Sequence, residues 1–122
     1  MIKHRTILKA ADNSGAIKLM CIGFVGVGNR NAAQIGDIVV CSVKESEPGK
    51  QVEKGQVVKA VVVRQRKPFR RKNGTWIRFD ENAVVLLRSK DDLIGNRIFG
   101  PIPIEIKQKG FNKIASLTKD FV

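Results

Sequence analysis

The sequence predicts a mainly β protein: a small barrel of five or six short strands, a protruding basic hairpin and short C-terminal helices. Three observations carry that reading. Short runs rich in Val and Ile alternate with Gly, Asn, Asp and Pro as far as Arg88. An Asn-Gly dipeptide, Asn73-Gly74, sits between two strand-like arms crowded with cations. After Ile104 the apolar pattern loosens toward helical spacing. Closure into a barrel follows because it removes the free edges that many short strands would otherwise expose.

The elements follow in order. Thr6–Ala10 is the first strand, and Asp12-Asn13-Ser14-Gly15 turns the chain, since Asn and Gly tolerate tight turns. Ile17–Val25 is the second strand, and the polar loop Gly26–Gly36, carrying Arg30, leads to the third at Asp37–Glu45. Pro48-Gly49-Lys50 opens another turn. Val57–Arg66 is the fourth and strongest strand, Trp76–Phe79 the fifth, and Ala83–Arg88 a sixth or its continuation past Asp80-Glu81-Asn82. Ser89–Asn96 reads as a polar loop, and Pro101 and Pro103 argue against a central strand at Phe99–Ile104. Ile104, Lys107 and Gln108 share one helical turn that Gly110 stops. Phe111, Ile114, Ala115 and Thr118 have the spacing of a second short amphipathic helix.

With 122 residues the chain fits one domain, residues 1–122, with barrel and ribbon in 1–88 and loops and short helices in 89–122. Hydrophobic residues at 43% and charged residues at 28% make a globular composition. Lys and Arg number 23 against 11 Asp and Glu, a formal charge of +12. So strong a positive field on a small body attracts polyanions. No apolar run approaches the ~18 residues of a membrane-spanning helix, so no membrane partner is expected. The start, Met1-Ile2-Lys3-His4-Arg5, has no signal-like apolar region. We expect a protein made where it works, or one whose targeting segment has been removed. Cys21 and Cys41 lie in apolar runs and read as small core residues in a reducing compartment.

The charge is concentrated. Arg64, Arg66, Lys67, Arg70, Arg71, Lys72 and Arg78 supply seven cations between positions 64 and 78, where no Asp or Glu occurs. A ribbon with Asn73-Gly74 at its tip and positive φ at both turn residues would carry them. Self-repulsion disfavours such a ribbon unless phosphates neutralise it, and Arg grips phosphate with two parallel hydrogen bonds. A solvated charged loop would carry interspersed acids, and none is present. Lys9, Arg30 and Lys44 join these seven as candidate RNA-contacting residues. Phe24, Phe79 and Phe99 sit among apolar neighbours and read as core. Phe69 and Trp76 lie near the cations, and Trp76 either stacks on a base or covers the barrel end. So few candidate stacking rings favour recognition of RNA backbone and shape over base-by-base reading.

Enzyme signals are weak. His4 is the single His, and the adjacent acids Asp80-Glu81 and Asp91-Asp92 point to opposite sides of an extended chain. Gly23, Gly26 and Gly28 lack the spacing and following helix of a phosphate loop. Neither thiol has a His beside it as base, and one His with two Cys makes no four-ligand zinc set. No catalytic residue, metal or cofactor is expected. A free-standing RNA-binding barrel of the OB or cold-shock type would display more aromatics. A phosphodiester-cleaving enzyme would need a His or paired carboxylates among the cations.

One spaced pattern is more specific. Ala60-Val61-Val62-Val63 leads to Asn73-Gly74, then to Phe79-Asp80-Glu81-Asn82-Ala83-Val84-Val85-Leu86. This resembles the signature of the universal large-subunit ribosomal protein of the L-fourteen family, in its bacterial and organellar form. Ala11–Ala16, Ile35-Gly36-Asp37, Arg97–Pro101 and Lys109-Gly110-Phe111 fit too. The resemblance implies a five-stranded β-barrel, a ribbon at Arg64–Arg78 and a small C-terminal helical part. It implies a non-enzymatic constituent of the large subunit that binds large-subunit rRNA and bridges to small-subunit rRNA. Neighbouring ribosomal proteins, including the L-nineteen family in bacteria, and a ribosome-silencing factor are implied partners. It places Asn96, Arg97 and Lys113 near the exposed subunit interface, on ribosomes of a bacterial cytoplasm, a mitochondrial matrix or a plastid stroma. The chain departs from the family where Asn96 replaces a common Thr, at the bulkier Phe69 and Trp76, and at its end, Leu117-Thr118-Lys119-Asp120.

Overall fold

A computed structural model describes residues 2–26, 28, 31–89 and 91–122. Strand β1 (Ile7–Ala10) pairs antiparallel with β2 (Ala16–Val25), and β2 with β3 (Ile38–Ser46). Strand β4 (Val57–Arg64) follows, then β5 (Phe69–Arg70) and β6 (Trp76–Ile77), which pair only with each other. Strand β7 (Ala83–Ser89) returns to β4, and β8 (Asp92–Leu93) folds back on β7. The sheet shuts where β1 meets β7 in parallel, Lys9 opposite Ala83 and Ala10 opposite Val84. The strands β1-β2-β3-β4-β7 thus form the expected closed five-stranded barrel.

Burial explains the strand patterns. In β3 the inward Val39, Cys41 and Val43 alternate with more exposed neighbours, the period of a half-buried strand. From Ala60 to Gln65 every residue is buried, as is every residue from Ala83 to Leu87. Continuous burial means cover on both faces. The barrel interior covers one, and Ile102, Ile106 and Ile114 of the C-terminal segment join the same core. Helices α1 (Ile104–Gln108) and α2 (Asn112–Leu117) contribute Ile106 and Ile114 to it. Among the described residues no helix is long and apolar enough to cross a membrane.

Cys21 and Cys41 stand directly opposite each other across β2 and β3, both fully buried and both free thiols. Burial, and secondarily Cys21, pushes the Cys41 thiol up to about 12, which removes it as a nucleophile.

The barrel seam has its own clasp. Asp12 is buried, and its Oδ2 accepts the Leu86 amide at 3.0 Å across the β1–β7 junction. Its Oδ1 accepts the Ser14 hydroxyl at 2.7 Å and the Ser14 amide at 3.2 Å. Burial raises the carboxyl above its ordinary range despite these bonds.

Three expectations need correction. The fourth strand ends at Arg64 rather than Arg66, because β4 and β7 lose register between Val62 and Arg64 and the chain leaves the barrel there. The loop Ser89–Asn96 contains β8, which forms because Leu93 is apolar and drops into the core. Phe99 is 51% exposed rather than buried, since its backbone, not its ring, is held: its amide donates to Ala11 O at 2.7 Å.

Candidate nucleic-acid interface

The segment between β4 and β7 leaves the barrel as a short ribbon. Its paired register is two residues long, Phe69 opposite Ile77 and Arg70 opposite Trp76. The turn closes through Gly74 N–H to Arg71 O at 2.9 Å and Arg71 N–H to Thr75 O at 2.8 Å. Among the described residues of the turn only Gly74 has positive φ, +87°, so Asn73 keeps an ordinary backbone. This corrects the expectation of positive φ at both positions: the geometry is a three-residue loop with Gly in the left-handed place. Asn73 serves through its side chain, whose Oδ1 accepts the Thr75 amide at 3.0 Å and hydroxyl at 2.6 Å.

Alternation along the ribbon gives it two unlike faces. Phe69 packs on the core and Ile77 is half-buried. Arg71 shares that inner face, with its guanidinium 5.9 Å from the centre of the Phe69 ring. Arg71 Nε and Nη2 donate to the two oxygens of Glu105, each at 2.9 Å, and Nη2 also reaches the Val122 oxygen at 2.7 Å. The opposite face is open: Arg66, Arg70, Lys72, Trp76 and Arg78 are all exposed, as is Lys67 at the bend before β5. Among the described residues, none of those five cations joins an ion pair. A shallow groove of about 420 Å³ runs beside them, lined by Arg66, Lys67, Arg78, Phe79 and Asp80.

Arg64 lies elsewhere. It is only 6% exposed, and its Nη1 donates to Phe99 O at 2.9 Å and Pro101 O at 3.0 Å. Its Nη2 faces Glu81 at 3.4 Å. Burial pulls the guanidinium below its ordinary value, and Glu81 opposes that pull. The residue ties the ribbon base to the Phe99–Pro101 segment and offers no surface charge. Of the remaining candidates, Lys9 pairs with Glu81 at 3.3 Å, and Lys44 is exposed on β3. Arg30 lies outside the described residues.

A second polar site lies away from the ribbon. Asn13 Oδ1 accepts the amides of Asn96 at 2.8 Å and Arg97 at 3.0 Å, and Asn13 Nδ2 donates to Asn96 Oδ1 at 2.6 Å. Gly95 is required for this approach, since a Cβ there would sit 2.7 Å from Asn13 Oδ1. Asp92 binds Lys113 at 3.0 Å and Arg88 at 3.3 Å. The Lys113 hydrogen bond chiefly holds its carboxyl below the usual range. Arg97 is exposed, and among the described residues it pairs with neither Asp91 nor Asp92.

Sequence reasoning missed Glu105 as the ribbon's anchor and Asn13 as the organiser of Asn96 and Arg97. Their partners lie 34 and more than 80 positions away, with no local signal linking them. Compared with known protein families, residues 1–122 match the model described as ribosomal protein L14p/L23e.

Proposed function

The chain belongs to the ribosomal protein L14p/L23e family and is a structural protein of the large ribosomal subunit, and we propose that it binds large-subunit rRNA through the outer face of its ribbon. The observation that carries this reading is the set of five exposed cations, Arg66, Lys67, Arg70, Lys72 and Arg78, with no acidic partner among the described residues. Unpaired like charges this close repel one another, and RNA phosphates relieve that repulsion. Lys9 and Lys44 extend the positive surface onto the barrel. Arg64 and Arg71 act from behind, holding the ribbon in place.

On the second site, Asn96, Arg97 and Lys113 meet small-subunit rRNA and form part of an intersubunit bridge. Support comes from the fixed backbone of Asn96 and Arg97 and from an Arg97 side chain that joins no ion pair among the described residues. Neighbouring ribosomal proteins, with the L-nineteen family among them in bacteria, and a silencing factor are partners of the same reading. So is residence on bacterial or organellar ribosomes. The family is structural and in general non-enzymatic.

The test is the salt dependence of binding between the full chain and a large-subunit rRNA fragment. Five phosphate contacts predict that log affinity falls by about 3.5–4.5 per unit of log salt. A slope near zero overturns the phosphate assignment.

A further inference from the structure

Trp76 is 65% exposed at the centre of the ribbon's outer face, directly across from Arg70. A ring of that size is ordinarily well covered in a folded chain. It does not cover the barrel end; on the other face Phe69 packs on the core and Ile77 is half-buried. Among the described residues the one cation stacked on a ring is Arg71, over Phe69, so the Trp76 ring carries no guanidinium. Arg70 and Arg78 are exposed, one opposite Trp76 and one two residues along. An open aromatic face between two unpaired cations matches the chemistry of a nucleotide, whose base is flat and apolar and whose phosphate is anionic.

We propose that Trp76 is a stacking platform for one unpaired nucleobase of the bound RNA, with Arg70 and Arg78 holding the phosphates beside it. This rests on the reading of the ribbon as an RNA-binding surface and adds a base contact to it. The base must be unpaired, because both faces of a base inside a duplex are already covered by its neighbours. Stacking on one ring tolerates any base, so the site selects a bulged or looped nucleotide rather than a sequence.

Trp76 is the single Trp and the chain has no Tyr, so its emission reports this site alone. The experiment titrates the full chain with an RNA hairpin carrying one bulged adenine and with the same hairpin lacking the bulge. The bulged RNA should quench the emission and bind more tightly, whereas the perfect duplex should bind without quenching. Trp76→Leu should weaken binding of the bulged RNA roughly 5- to 150-fold and of the duplex by less than about twofold, with Trp76→Phe restoring part of the loss. Equal affinity for both RNAs with unquenched emission overturns the stacking site while leaving phosphate binding in place. That result would also fit a Trp76 that packs on a neighbouring protein. Failure of the wild-type chain to bind either RNA overturns the phosphate reading and the stacking site together.

Discussion

Arg71 and Glu105 form a two-toothed ion pair that fastens the ribbon to helix α1, with side chains only 17% and 25% exposed. The pair decides where the ribbon points, because the two-residue ladder of β5 and β6 is too short to hold a direction alone. Arg71→Ala should therefore lower stability by about 1–3 kcal/mol, since it strips a partly buried carboxylate of two charge-assisted hydrogen bonds. Urea midpoints of Arg71→Ala, Glu105→Ala and the double variant should show coupling of about 0.5–3 kcal/mol. Strict additivity would mean that the contact does not join the two parts. Arg71→Gln should leave the salt slope of RNA binding as it was.

The outer cations should behave in the opposite way. Changing Arg66, Arg70, Lys72 and Arg78 together to Gln should reduce the salt slope by about 3, at 0.7–0.9 for each lost contact. The melting temperature should hold or rise, because like charges are removed from one surface. An unchanged slope would place the phosphate contacts elsewhere on the molecule.

At the tip, Gly74 and Asn73 should separate. Gly74→Val forces a β-branched residue to φ near +87° and should cost about 1–3 kcal/mol locally, disordering the turn. Asn73→Ala removes two side-chain hydrogen bonds without backbone strain and should cost about 0.5–1.5 kcal/mol. Amide spectra of residues 71–75 distinguish the two. Equal disruption would restore the two-position turn that the dipeptide first suggested.

Asp12 makes stability depend on pH in an unusual direction. Its folded carboxyl holds a proton more tightly than the unfolded chain does, because burial raises it. Its contribution is therefore greatest below the ordinary carboxylate range near 3.8 and falls as pH rises through that range to the raised value. The stability gap between wild type and Asp12→Asn should shift against the wild type over that window and stay level above it. Chemical denaturation at a series of pH values measures the gap, and a shift toward the wild type would reverse the assignment.

Arg97→Glu should enter large subunits normally, since the ribbon is untouched, and those subunits should join small subunits poorly. The defect should deepen at low magnesium, where repulsion between the new carboxylate and phosphate is less screened. Light scattering during subunit association reads this. Normal joining at every magnesium concentration would remove Arg97 from the bridge.

What the sequence made legible was whatever is written locally. The inward period of Val39, Cys41 and Val43, the apolar run at Ala60–Val63, the cations at 64–78 and the stop at Gly110 all depend on near neighbours. The fates of Arg64 and Arg71 do not. Each sits in the same basic run as Arg70, yet one binds carbonyls 35 and 37 residues away and the other a carboxylate 34 away. Charge counting treats all seven cations alike, and only the fold separates the two that brace the ribbon from the five that face outward. The shortness of β5 and β6 has a local cause instead: the bend at Arg66-Lys67 and Pro68, which has no amide to donate, bound the ladder on one side, and the Asn73-Gly74 turn bounds it on the other.

The parallel seam at Lys9–Ala83 and Ala10–Val84 has a kinetic meaning as well. Its two sides lie 74 residues apart in the chain, and so do Asp12 and Leu86, which clasp it. The first strand therefore has no closing partner until most of the polypeptide exists. During synthesis β1 to β4 can meander, but they remain an open sheet with two raw edges until β7 arrives. Contacts this distant in sequence slow folding, because loop entropy is lost before the pairing returns any energy. An unfinished chain thus exposes the β1 and β4 edges together, and both stay unpaired until β7 arrives to bridge them.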